Sequence, residues 1–161
     1  MNNKVIRKVV ALLAIVCIGL LGGCSSKGNE EVKEVSMNTI VEKVKGAIDS
    51  KMFMEEKEEG LERFYDIKKD DIEEFALFLP SKNIQANEIA ILKLKSSEDV
   101  EKIKEKINKR IEDQSNAFKQ YIPEQYDIIK NNEIVQKGKY ILFVADKNKD
   151  KVKSAFEESF K

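Results

Sequence analysis

Apolar positions recur along this chain with more than one rhythm. Val100, Ile103, Ile107, Ile111 and Phe118 stand three, four and seven residues apart. That spacing lines one face of an α-helix. It predicts a helix over 98–118 with Ser96 or Ser97 as cap, and with Glu98–Lys102 and Glu105–Lys109 as supporting i,i+4 pairs. Ile40, Val41, Val44, Ala47 and Ile48 predict an earlier helix over 39–48, capped by Ser36 or Asn38. Leu61, Phe64 and Tyr65 suit a short helical turn after Gly60. Pro123 suits the first turn of a helix carrying Tyr126, Ile128 and Ile129. Val152, Ala155, Phe156 and Phe160 make a closing amphipathic helix.

Other apolar stretches are compact runs. Residues 75–79 read Phe-Ala-Leu-Phe-Leu and stop at Pro80, and residues 88–95 carry Ile-Ala-Ile-Leu-Lys-Leu. Turn-forming residues lie between the two, so they predict an antiparallel hairpin. Ile134-Val135 and residues 140–145, joined across Lys137-Gly138-Lys139, predict a second hairpin. Met52-Phe53-Met54 reads as a core segment between elements, with an adaptable docking surface as the alternative. The whole is an α+β domain over 37–161, an antiparallel four-stranded sheet of two hairpins with helices packed on one face.

The longest apolar run, residues 9–21, belongs to none of these elements. It has 13 residues and follows Lys4, Arg7 and Lys8. A membrane-spanning helix wants roughly 20 residues, so residues 1–23 read as a signal segment with a positive n-region and an apolar h-region. It ends in Leu21-Gly22-Gly23-Cys24, an apolar residue, two small ones and a thiol. This resembles the lipobox of bacterial lipoproteins, in which small side chains admit the peptidase and the thiol receives the lipid. The resemblance implies lipidation at Cys24 and attachment to the outer face of the cytoplasmic membrane. The alternative is an uncleaved signal anchor, with the bulk of the chain on the same side. Residues 24–36 then read as the lipidated Cys followed by a flexible tether.

Further stretches resemble a family. They are residues 86–91 (Ala-Asn-Glu-Ile-Ala-Ile), Arg110 with Asp113-Gln114, Phe118 with residues 121–126 (Tyr-Ile-Pro-Glu-Gln-Tyr), and Gly138-Lys139-Tyr140. Together they are similar to a domain of unknown function that recurs in lipoproteins of low-GC Gram-positive bacteria. The resemblance spans roughly residues 55–160. It implies an extracytoplasmic lipoprotein and brings no activity, ligand or catalytic residue.

Composition narrows the chemistry. The 161 residues include no His, so His triads, His metal sites and imidazole proton shuttles are excluded. The two cysteines are Cys17 in the signal segment and Cys24. Twenty-nine basic residues balance 29 acidic ones, which gives no electrostatic case for nucleic acid. Processing before Cys24 would leave 26 basic against 29 acidic residues, a charge of −3. No cofactor and no metal is expected. Residues 146–150 have the opening rhythm of a calcium loop. Lys151 stands where the turn needs Gly, however, and the reading is an Asp-capped helix start.

Ten carboxylates lie between Glu55 and Glu74, where four basic residues interleave. They read as a solvated surface rather than as an acid–base pair. The candidate ligand or partner contact is Arg110, Asp113, Gln114 and Tyr121. Gln114 interrupts the apolar stripe, with Arg110 four residues before it and Tyr121 seven after. The structural alternative, which is favoured, is a polar network tying this helix to the loop before Pro123. The leading function is a non-enzymatic, lipid-anchored interaction module with an envelope protein as partner. The alternatives are a small-solute or ion-binding lipoprotein serving a transporter and, after it, a carboxylate-dependent envelope hydrolase.

Overall fold

In the computed structural model, which describes residues 32–161, five strands form one antiparallel sheet. They are β1 (Phe53–Glu56), β2 (Ile72–Pro80), β3 (Glu88–Leu94), β4 (Glu133–Lys137) and β5 (Tyr140–Ala145), in the order β1-β2-β3-β5-β4. The helices are α1 (Met37–Gly46), α2 (Glu58–Tyr65), α3 (Val100–Phe118), α4 (Pro123–Lys130) and α5 (Lys149–Glu158). None of them is long and apolar enough to cross a membrane. The expected signal segment, Cys24 and residues 25–31 of the expected tether lie outside the described residues.

Both expected hairpins form, β2 with β3 and β4 with β5, and β3 joins β5 at the centre. Two expectations are corrected. The sheet has five strands rather than four, because Phe53–Glu56 pairs with Leu77–Pro80 as an edge strand. Four residues with two glutamates and an exposed Met54 give no apolar alternation, although a short, charged edge is how sheets avoid unwanted pairing. The helices also cover both faces rather than one. Leu61 of α2, Ile103 and Ile107 of α3 and Ile129 of α4 are buried, and the first two helices pack with Leu77, Leu92 and Ile141 on one face. Ile40 and Val44 of α1, with Val152 and Phe156 of α5, pack with Phe78, Ile91, Leu142 and Val144 on the other. Every position of β3 and β5 is therefore buried, which explains their continuous rather than alternating apolar sequence.

The central register defines two ends of the sheet. Glu88 of β3 lies level with Ala145, and Lys93 lies level with Tyr140. At the Lys93 end sit the β4–β5 turn and the first described residues. Val35 is buried there, its N–H donating to the Tyr140 hydroxyl at 3.1 Å and its carbonyl accepting from it at 2.7 Å. Glu34 pairs with Lys93 at 3.1 Å and with Lys139 at 3.2 Å. A Cβ on Gly138, whose φ of +55° suits glycine, would lie 3.1 Å from the Val32 side chain. The last part of the expected tether is thus seated on the domain rather than free. Glu73 holds the Lys93 ammonium well above its ordinary pKa against partial burial, and Glu34 and Glu74 add to the effect. At the opposite end lie the β2–β3 loop, the α3–α4 link and the β5–α5 turn.

A buried carboxylate as candidate functional site

Glu88 opens β3 and is fully buried. A buried carboxylate is costly unless charge and hydrogen bonds compensate it. Three side chains from two helices do so. The Tyr65 hydroxyl, at the end of α2, donates to Oε1. Arg110 of α3 donates from Nε to Oε1 at 3.1 Å and from Nη2 to Oε2 at 2.8 Å. Gln114, one helical turn further on, donates from Nε2 to Oε2. A carboxylate offers about four acceptor positions, and these four donors engage them all. The guanidinium also lies over the Phe64 ring, 4.8 Å from its centroid.

The electrostatics follow from the packing. Burial opposes charge on Arg110, but its bonds and attraction to Glu88 hold its pKa above the ordinary value. Burial, then the Glu88 charge, push the Tyr65 phenol well above 10.0, partly offset by Arg110. The folded state therefore prefers neutral Tyr65 more strongly than the unfolded chain does. Stability from this group is fully present below pH 10 and is lost as pH rises from there through the folded value. Tyr65→Phe is expected to lower stability at neutral pH and to flatten its decline above about pH 10. Urea melts across pH 7–11 check this, and an unchanged alkaline slope would assign the decline to other groups.

Neighbouring loops meet beside this cluster. Asn87 Nδ2 donates to Asp146 Oδ2 at 2.6 Å, and Asp146 Oδ1 accepts from the Asn148 N–H at 2.6 Å. Asp146 thus closes a turn ahead of α5, whose N-cap is Asn148 without a side-chain cap bond, so the expected Asp-capped start is corrected. The Ala86 N–H donates to Gln125 Oε1 at 2.8 Å, which ties the β2–β3 loop to α4.

Of the four expected contact residues, Arg110 and Gln114 come together and the other two stand apart. Asp113 points outward and pairs with Lys109 at 2.5 Å. Tyr121 is 81% exposed. Tyr121 does not line up with Arg110 and Gln114, because α3 ends at Phe118 and helical spacing does not carry on beyond it. The partner of Gln114 also differs, being Glu88 on β3 rather than the loop before Pro123. Gln114 Oε1 is buried without a hydrogen-bond partner. Gln114→Ala is expected to cost about 1–3 kcal/mol, because it strips a donor from a buried carboxylate. Gln114→Leu should be milder through retained volume, and urea melts of both variants measure the difference.

Sequence reasoning missed Glu88 and Tyr65. The available signal was a carboxylate opening an apolar run, which must be paired if both faces of its strand are covered. The acidic stretch that follows β1 disperses into separate ion pairs, among them Asp66–Lys106 at 2.7 Å and Glu73–Lys93 at 2.6 Å. Among the described residues no three His, Cys, Asp or Glu side chains converge as a metal site.

Chemically, the Glu88 cluster positions α2, β3 and α3 and leaves the carboxylate no free acceptor for a substrate. No curated protein and no solved structure matches the chain. The family model described as a domain of unknown function (DUF4358) matches residues 46–146, a span that contains the whole sheet together with Tyr65, Glu88, Arg110 and Gln114, and the chain belongs to that family.

Proposed function

We propose that this protein is a lipid-anchored extracytoplasmic interaction module without catalytic activity of its own. A lipid on Cys24 would hold it at the outer face of the cytoplasmic membrane. The supporting observation is the seat of the N-terminal segment. Val35 and Glu34 are fixed at the Lys93 end of the sheet, whereas exposed Ile84 and Tyr121 belong to loops at the other end. Val32 is eight positions along the chain from Cys24, a reach of at most about 28 Å. An anchor on Cys24 would therefore hold the domain close to the bilayer with those loops turned outward. The engaged acceptors of Glu88 support a binding rather than a hydrolytic reading.

The test has two parts. Cells fed labelled palmitate should label the wild-type protein and not Cys24→Ala, which should leave the membrane fraction. Equal label in both proteins would overturn the anchor. A photoreactive residue scanned over exposed positions in intact cells should give adducts with another envelope protein, and no adduct from any position would overturn the interaction reading.

A further inference from the structure

We propose that the end of the sheet opposite the N-terminal seat is a docking surface for an acidic protein segment carrying apolar side chains. This rests on the interaction-module reading and gives it a surface and a partner chemistry. Among the described residues the exposed large hydrophobics are Met54, Ile84 and Tyr121, at 50%, 64% and 81% exposure. All three belong to this end. Met54 lies opposite Leu79 near the end of β2, Ile84 sits in the β2–β3 loop, and Tyr121 sits in the α3–α4 link.

The β2–β3 loop is the hub of the surface. The Ser81 N–H donates to the Met52 carbonyl at 3.0 Å, and its hydroxyl donates to the Lys51 carbonyl at 3.2 Å. Ala86 is bonded to Gln125, and Asn87 to Asp146. The loops carrying Ile84, Lys51 and Lys147 are therefore fixed to one another, and Gln125 ties them to the helix that follows Tyr121. A surface held in this way loses little entropy on binding.

Charge identifies the occupant. Lys82 precedes Ile84 by two residues and Lys119 precedes Tyr121 by two, while Lys51 and Lys147 lie on the adjoining turns. All four are exposed, and among the described residues none has a carboxylate within 4.0 Å. At the other end of the sheet Lys93 and Lys139 are instead paired with Glu34 and Glu73. With Lys130 of α4 and Lys151 of α5 the lysines here number six, against exposed Asp49, Glu124, Asp127 and Asp150. The excess disfavours a second copy of the same face and attracts a negative partner, while Ile84 and Tyr121 supply the apolar contact.

The full-length protein in neutral detergent is titrated with a labelled random copolymer of glutamate and tyrosine, with polyglutamate, with polyphosphate and with glycerophosphoglycerol, the soluble headgroup of an anionic lipid. The copolymer should bind about tenfold more tightly than the other three probes. Tyr121→Ala and Ile84→Ala should each weaken the copolymer about tenfold. Lys82→Glu combined with Lys119→Glu should abolish its binding, while Lys68→Glu at the other end leaves it unchanged. No copolymer binding, equal loss with Lys68→Glu, or polyphosphate or glycerophosphoglycerol binding as tightly as the copolymer would overturn the proposal. Such a result beside cross-linked adducts from other positions removes this surface alone, whereas the absence of adducts everywhere removes the interaction module itself.

Discussion

Glu88→Ala is expected to destabilise the protein by about 3–5 kcal/mol, the usual cost of breaking a buried ion pair from one side. The Arg110 guanidinium, largely buried against Phe64, loses its counter-charge. The Tyr65 hydroxyl and the Gln114 amide lose their acceptor in the same step. Arg110→Ala should be at least as costly, because it leaves a fully buried carboxylate with only neutral donors. The double variant Glu88→Leu with Arg110→Met removes both charges and keeps volume, so it should lie well above either single variant in stability. Urea melts of the four proteins form the cycle. A loss below about 1 kcal/mol for Glu88→Ala would mean that the carboxylate is hydrated and that the helices are positioned by apolar packing alone.

The parts of the fold that could be read from sequence are those in which one physical signal dominates. The 3.6-residue stripe from Val100 to Phe118 is a helix because Val100, Ile103 and Ile107 all reach the core. Pro80 marks the end of a hairpin strand because it has no N–H for the ladder, and Gly138 marks a turn because it accepts a positive φ. The expected i,i+4 ion pairs fared differently. Lys102 reaches Asp71 and Lys109 reaches Asp113, because surface lysines choose among several carboxylates of similar energy. Strand β1 was hidden for a related reason. Its pairing is made by backbone groups, which the side chains of Met54, Glu55 and Glu56 do not advertise.

The buried site was half legible. Gln114 stood out because an amide on an apolar stripe needs partners, and Arg110 followed at helical spacing. Glu88 is 22 residues before Arg110, and Tyr65 is 23 before Glu88. No local period connects residues so far apart. Only the stacking of α2 and α3 on the same face of β3 brings them together. Glu88 shares a strand face with Ala90, Leu92 and Leu94, the face that α2 and α3 cover, so those two helices bury it. The second helical layer, α1 and α5, covers Ile89 and Ile91 on the other face.

That second layer leads to the other large expected effect. A chain cut to residues 46–146, the span matched by the family, keeps all five strands with α2, α3 and α4. It loses nearly all of α1 and the whole of α5. Ile40, Val44, Val152 and Phe156 are each fully buried, and they cover Phe78, Ile89, Ile91, Leu142 and Val144. Phe156 also packs edge-on against Phe160 at 5.2 Å, which in turn meets Tyr140 at 5.1 Å. Truncating one such ring to alanine typically costs about 3–5 kcal/mol, and whole domains are stable by only about 5–15 kcal/mol. Removing both helices should therefore leave a sheet with one apolar face in water. The 46–146 chain is expected to show no cooperative thermal transition, to bind an apolar dye and to aggregate, while the 32–161 chain melts cooperatively. A cooperative melt of the shorter chain within a few degrees of the longer one would show that the α1–α5 layer is dispensable, and that α2, α3 and α4 with the Glu88 cluster suffice to hold the sheet.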